Sequence, residues 1–544
     1  MPAPDPVILM MLLTIAVTLA IGVHSYREAR TERQYFAYGQ QLRWFVLGVA
    51  TFSTVMSGFG FVGGPGLVYS MGSTSLWMTF AAALGIPFSF LLVGQKLRAL
   101  ASADVLTLPD AVHKRFGSQA ARCAVAVSIL LGILAYLGSQ ILAATFVLIQ
   151  VFGADFLPAF WIAVTIVTLY PMIGGIVAGI RTEVFQGALM IVASALVFYF
   201  ALASGGGMGR ITVDVARADQ ALVGPWGAAP ALTALGYLFV FSLGNVGMPH
   251  STSRFLMIAD PKQLRYGVLI ATGAYMVGSL LWMTVGFAVR ARVEAGDLAP
   301  LSMPDEAAPL FLGTYAPPWL AGIAFAGLMS AILSTASIFL NVGAATLTRD
   351  IPLSLNRPLR RPILWARTWT ALLALAAGGL ALWSRELVAL LGAIGYGLHA
   401  AALAPTLVLG LHWRRATAAA AVASATVAIV GSVYFFAAQQ LGFAASRGWW
   451  VPGHGFPSVG LVMLLSFITF IVVSLVTEPA ALETVSRDPS EHAQCRELPP
   501  PLVDAASRHS SSAFEHPARR RAELESARQE SHWMCPESSG NKKL

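Results

Sequence analysis

The chain has 544 residues, 56% of them hydrophobic and only 11% charged, with a mean hydropathy of +0.68. A soluble protein of this length needs far more charge to cover its surface, so the soluble classes are excluded and a polytopic α-helical membrane protein is expected. The net charge of +8 raises the question of nucleic acid, but the basic residues sit in alternate loops. One set holds Arg27, Arg30, Arg33 and Arg43, then Lys96, Arg98, Lys114, Arg115 and Arg122, then Arg181, then Arg254, Lys262 and Arg265, then Arg349, Arg357, Arg360 and Arg361, then Arg414 and Arg415. The opposite loops hold only Arg210, Arg217, Arg290, Arg292, Arg385 and Arg447. That asymmetry places the first set in the cytoplasm and reports topology, with no nucleic-acid partner.

Taken in chain order, apolar runs of roughly twenty residues predict about thirteen spans. The first, Val7–Val23, follows Asp5 with no preceding Lys or Arg and no small-residue cleavage pattern, so it reads as a retained span and not a signal peptide. Spans follow near 44–69, 73–95, 123–151, 158–173, 182–203, 231–250, 266–289, 317–343, 363–383, 387–411, 416–438 and 457–476. The amino terminus then faces outside and the carboxyl terminus the cytoplasm, in a multi-pass protein of the plasma or inner membrane.

The second span contains Ser57-Gly58-Phe59-Gly60-Phe61-Val62-Gly63-Gly64-Pro65-Gly66, and the seventh contains Gly244-Asn245-Val246-Gly247-Met248-Pro249. Glycine and proline weaken a helix, and unwound backbone survives in a membrane only beside a cavity or ligand. A single glycine-rich span would read as helix packing. Two, each with proline and five spans apart, point to the central site of a secondary transporter. Each opens a block of five spans, residues 44–203 and 231–411. Because five is odd, the second block enters the membrane from the opposite side, as an inverted repeat. The remaining divisions are an extra span and cytoplasmic loop over 1–43, an extracellular loop over 204–230, two further spans over 412–477, and a tail over 478–544. The tail is rich in Pro, Ser, Arg and Glu and reads as a solvated, disordered segment.

Every Asp and Glu falls in a loop, the tail or a span end; the innermost is Glu183, at the start of the sixth span. With His399 it is the sparse basis for proton coupling. A hard cation such as sodium needs only neutral oxygens. The ninth span offers them: Ser334 and Thr335 present adjacent hydroxyls, and Thr335 can loosen the Ala331 carbonyl one turn earlier. Cys123, Cys495 and Cys535 form no framework, so neither a disulfide nor a metal site other than sodium is assigned. No Gly-x-x-x-x-Gly-Lys-Ser/Thr run offers an ATP site, and no cofactor or covalent chemistry is implied; the protein is not read as an enzyme.

Several stretches resemble one family. Gly174-Gly175 with Arg181-Thr182-Glu183 and Gln186, Gly247-Met248-Pro249-His250 with Arg254-Phe255, and Met329–Thr335 ending in Thr348-Arg349-Asp350 are similar to elements of the sodium:solute symporter family. Tyr35–Gly39, Ala404-Pro405 and His412–Arg415 extend the likeness across residues 35–415. The resemblance implies a leucine-transporter-type fold with two inverted five-helix repeats. It also implies a sodium site formed by the backbone carbonyls of Ser53, Met56 and Ala331 with the hydroxyls of Ser334 and Thr335. Glu183 takes the family's acidic position on the cytoplasmic sodium exit path. Where some members carry Asp before the methionine-equivalent carbonyl, this chain has Val55. The Gly63–Gly66 run is similar to the pantothenate and short-chain carboxylate branch.

The glycine run is expected to expose amides around Gly60–Gly64 to a carboxylate. Pocket candidates are Phe59, Gly60, Gly63, Tyr136, Gln140, Tyr237, Asn245, Tyr396 and His399. His250 and Arg254 are read first as a packing histidine and a positive-inside arginine. The resulting expectation is a sodium-coupled symporter that imports a small organic solute, an organic anion in preference, with no obligate protein partner. The alternatives are a proton-coupled carrier and a transporter-like membrane sensor.

Overall fold

The computed structural model describes residues 5–28, 31–102, 104–384, 388–441 and 458–478. Beyond Glu478 the expected tail lies outside them, as do Arg30, Arg385, Arg447, Cys495 and Cys535. The described chain is all-helical. Helix α1 (Pro6–Ser25) is capped by Asp5, which accepts from the Val7 amide at 2.8 Å. Helix α2 (Glu32–Ala37) opens with a reciprocal Thr31–Gln34 cap. The second span is α3 (Trp44–Val55) and α4 (Gly64–Met71), joined by a wide helical turn over Phe59–Gly63. Then come α5 (Leu76–Ser89), α6 (Gln95–Leu100), α7 (Leu108–Phe116), α8 (Gln119–Phe152), α9 (Phe156–Ser204) and α10 (Met208–Ala218). The second half holds α11 (Ala231–Gly244), α12 (Pro249–Thr252), α13 (Leu264–Glu294), α14 (Ala307–Tyr315), α15 (Pro318–Ala345) and α16 (Ile351–Ser354). It closes with α17 (Pro362–Ser384), α18 (Val388–His412), α19 (Ala418–Leu441) and α20 (Ser458–Val476).

Among the described residues ten helices are long and apolar enough to cross a membrane, or eleven with the bent pair Ala231–Gly247 and Pro249–Leu256. Two of the ten are too long for one crossing. Phe59–Leu100 and Phe156–Ser204, with 42 and 49 residues, would rise about 63 Å and 74 Å, against a bilayer core of about 30 Å. Each turns at a glycine in the left-handed region, Gly72 at φ 60° and Gly175 at φ 58°. With each counted as two crossings, the tally reaches the thirteen read from the sequence.

Two expectations change. The fifth and sixth spans are not separated by a loop. They run through Gly175, where a Cβ would come within 2.8 Å of the Tyr35 ring. Glu183 therefore lies two turns inside a helix and is fully buried, not at a span end. The second break also moves: the glycine run is helical, and the chain leaves helical geometry earlier, at Met56 (φ −85°, ψ 76°). Helical bonding resumes at once, with the Phe61 amide on the Ser57 carbonyl at 2.9 Å.

Helix α9 packs on α15, α8 on α18, α5 on α11 and α3 on α13. The segments flanking the two broken spans are joined by a short parallel pairing. The Leu42 amide donates to Met257 and the Ala259 amide to Leu42, each at 2.9 Å.

Candidate functional site

The break at Met56 decides the chemistry around it. In an unbroken helix the carbonyls of Ser53 and Thr54 would accept from the amides of residues 57 and 58. Here the Gly58 amide turns to Gln140 Oε1 at 2.9 Å. The hydroxyl of Ser334 reaches the Ser53 carbonyl at 2.7 Å, and that of Thr335 reaches the Thr54 carbonyl at 3.2 Å. Ser334 also bonds the Ala331 carbonyl of its own helix at 3.0 Å. Four of the five residues expected around a cation, Ser53, Ala331, Ser334 and Thr335, are thus in direct contact and fully buried. Met56 is buried beside them, but Thr335 addresses the carbonyl of Thr54. The set implied by the family resemblance does not include Thr54.

Thr54 also ties this cluster to a buried ion pair. Arg254 donates to Thr54 Oγ1 at 2.7 Å and to Glu183 Oε1 at 2.8 Å, and neither charged side chain has any exposure. Arg254 is therefore not a loop cation of the positive-inside kind: it is enclosed between α3, α9 and the segment after α12. His250 packs as expected, its ring 4.9 Å from that of Phe339 and 6.3 Å from that of Tyr136.

The pocket candidates divide. Phe59, Tyr136, Asn245 and Tyr396 line one small cavity, together with Phe241, Tyr275 and Trp282. Tyr237 stands behind that wall, against Phe241 at 6.4 Å. Gln140 is spent on the Gly58 amide. His399 lies elsewhere, on the Ile129 carbonyl at 2.9 Å and stacked on Phe339. Gly60 and Gly63 sit in the helical turn over Phe59–Gly63 and not in unwound backbone. Their neighbourhood is a seat for Trp282: a Cβ on Gly60 would lie 3.1 Å from the indole nitrogen, and one on Gly64 2.2 Å from the ring. The Gly60-x-x-x-Gly64 spacing is the signal that announces such a seat.

The sodium:solute symporter family pattern matches residues 35–428. The chain is 27% identical over 486 residues to the sodium/proline symporter of Haemophilus influenzae, covering 85% of this chain and 94% of that protein. It is also 27% identical over 480 residues to the sodium/pantothenate symporter of Escherichia coli, covering 86% and 95%. Relatives of both kinds match alike, so the likeness of Gly63–Gly66 to the pantothenate branch does not single that branch out. Among solved structures, a Na+-coupled sialic acid symporter in a substrate-bound outward-open state aligns with a TM-score of 0.69 at 20% identity, over 88% of this chain and 99% of that one. MHP1, a nucleobase-cation-symport-1 family transporter, aligns at 0.50 and 16%, over 83% and 97%. These two likenesses carry the fold, the leucine-transporter type expected from the sequence. With the family pattern covering most of the chain, this multi-pass membrane protein belongs to the sodium:solute symporter family, as a sodium-coupled transporter of a solute and not an enzyme.

Proposed function

We propose that the oxygens of Ser53, Thr54, Ala331, Ser334 and Thr335 hold the coupling sodium, and that the cavity lined by Phe59, Tyr136, Asn245 and Tyr396 holds a small organic carboxylate imported with it. The observation that carries this reading is the convergence of two hydroxyls from α15 on the two carbonyls that the break at Met56 releases from α3. A hard cation takes such neutral oxygens as ligands. In this reading Met56 contributes by ending the helix, and Glu183 draws the departing cation toward the cytoplasm once Arg254 releases it. The blocks 44–203 and 231–411 act as inverted repeats, with the amino terminus outside and the carboxyl terminus in the cytoplasm. Two relatives are symporters of proline and of pantothenate, both carboxylates, which supports that solute class.

The test is uptake into sealed vesicles of radiolabelled proline and pantothenate, driven by a sodium gradient, a proton gradient or neither. Accumulation that requires the sodium gradient is expected for one of the two. Accumulation driven equally by protons alone would overturn the sodium reading.

A further inference from the structure

The ends of α3 and α13 that lie beside the Leu42–Met257 pairing carry a surface that transport does not use. Arg43, Trp44 and Phe45 are exposed where α3 begins, and no residue from Val46 to Thr54 is. On α13, Arg265, Tyr266, Leu269, Gly273 and Met276 are exposed, and nothing from Val277 to Arg290 is. From Tyr266 onward these positions recur at helical spacing and form one stripe. The stripe rises about 15 Å between Tyr266 and Met276, half of a hydrocarbon core of about 30 Å. It is therefore one leaflet deep. At Gly273 it is open, since an added Cβ would meet nothing within 4 Å.

The head of this stripe is basic and aromatic. The Trp44 ring lies 5.9 Å from that of Tyr266, and the Trp44 amide donates to Gln263 Oε1 at 2.9 Å. The Arg265 guanidinium stands over the Tyr266 ring at 4.7 Å and donates to its hydroxyl at 2.8 Å, which holds it in place. Elsewhere in the basic loops arginines are spent on acids: Arg181 on Glu28, Arg349 on Glu32 and Asp110, and Arg122 on Asp110. Among the described residues Arg43, Lys262 and Arg265 have no such partner, and Asp260, the one carboxylate of this stretch, accepts from the Lys262 amide at 2.9 Å. Three exposed cations, then two amphipathic rings, then an apolar stripe match the layers of a lipid: phosphate, glycerol and chain. A guanidinium suits phosphate oxygens in particular. The choline of phosphatidylcholine would bring a quaternary ammonium to the same three cations. An acidic protein segment would satisfy the cations and leave Leu269 and Met276 uncovered.

We propose that this surface seats one anionic phospholipid, with its phosphate on Arg43, Lys262 and Arg265, its glycerol against Trp44 and Tyr266, and an acyl chain along Leu269, Gly273 and Met276. The lipid braces the ends of α3 and α13 beside the main-chain joint of the two broken spans. It goes beyond the transport reading and uses neither the sodium cluster nor the central cavity, so either can fail without the other.

The experiment places the full chain in phosphatidylcholine nanodiscs with a minor fraction of brominated-chain lipid, either phosphatidylglycerol or phosphatidylcholine, and reads tryptophan quenching. Exposed tryptophans such as Trp161 and Trp319 report both lipids alike, so the excess quenching by phosphatidylglycerol isolates head-group preference. That excess should be present in the wild type and absent in Trp44→Phe. Arg43→Gln, Lys262→Gln and Arg265→Gln together should raise the phosphatidylglycerol fraction required by at least about tenfold, since each basic residue at an anionic surface is worth about fivefold. Arg357→Gln, Arg360→Gln and Arg361→Gln together remove the same charge from another loop and should leave the excess intact. Glycerol 3-phosphate, a head without chains, should not compete. Melting in pure phosphatidylcholine shows that each variant is folded; if the first triple variant is not, Lys262→Gln alone, at an exposed position, carries the test at about fivefold. No excess in the wild type, an excess retained in Trp44→Phe, equal losses in the two triple variants, or full competition by glycerol 3-phosphate overturns the proposal.

Discussion

At the scale of single residues, the site depends on hydroxyls whose loss should be felt first by the cation. Ser334→Ala combined with Thr335→Ala removes two oxygens from the cluster. The sodium concentration for half-maximal uptake should rise by about tenfold or more, while the melting temperature falls only slightly, because each lost hydrogen bond contributes about 1 kcal/mol. Uptake with unchanged sodium dependence would remove these residues from the site. The Glu183–Arg254 pair behaves differently. Breaking a buried pair leaves one charge uncompensated, at about 3–5 kcal/mol. Glu183→Gln and Arg254→Gln should each be markedly destabilised, and the double variant less so than the sum of the two, which a double-mutant cycle on denaturation measures. Additive losses would mean that the two side chains do not depend on one another. Much of this was legible: a Ser-Thr pair on an apolar helix and a carboxylate near a signature both stand out in the sequence. The partnership of Glu183 with Arg254 did not, since they lie 71 residues apart and each has an ordinary explanation at a helix end.

At the scale of elements, the sequence reveals that two helices break but not where. Glycine content marks the weak region, yet whether a glycine unwinds or packs depends on what lies against it. Trp282, contributed by α13, fills the space that Gly60 and Gly64 leave, and packing keeps that turn helical. Gly64→Ala should therefore act through Trp282, costing about 1–3 kcal/mol by overpacking, and a second change of Trp282 to a smaller ring should recover the loss. Gly64→Ala with wild-type melting would show that the indole moves aside freely. A second element-scale contact joins the segment before α14 to the start of α18. Asp305 accepts from the Val388 amide at 2.7 Å, and burial together with Glu306 raises its carboxyl from 3.8 to about 6, the amide partly opposing this. The folded protein thus holds a proton that the unfolded chain has already released between those values. Stability from this group is full below about pH 4 and is lost as pH rises through about 6. Asp305→Asn should flatten that part of a melting-temperature profile; an unaltered slope would place the titration elsewhere.

At the scale of the whole molecule, parity of the spans and the repeated break gave the architecture without any side-chain detail. Span count is legible in hydropathy, which acts over whole segments, and the inverted order is the proposal drawn from its parity. The cavity's composition was harder to read, because its wall draws on α5, α8, α11, α13 and α18, and no local pattern tells a lining aromatic from a packing one. Tyr237 and His399 are of the expected residue type yet face other neighbours.

The pairing of Leu42 with Met257 and Ala259 has a consequence for how this protein tolerates variation. The two bonds of this joint are main chain to main chain, but the side chains of Leu42, Met257 and Ile258 are buried in the core, so Ala259, which is exposed, is the position where side-chain drift should be nearly silent. Only a residue that lacks an amide proton cuts a strand of it. Ala259→Pro should thus impair uptake more than Ala259→Ser or Ala259→Val does, with the protein still inserted. If all three behave alike in a vesicle assay, the two spans are not yoked there. If they are, a library of substitutions at 259 reads as a single gap at proline in an otherwise permissive position, the mark of a part whose design is written in backbone and hidden from selection on side chains.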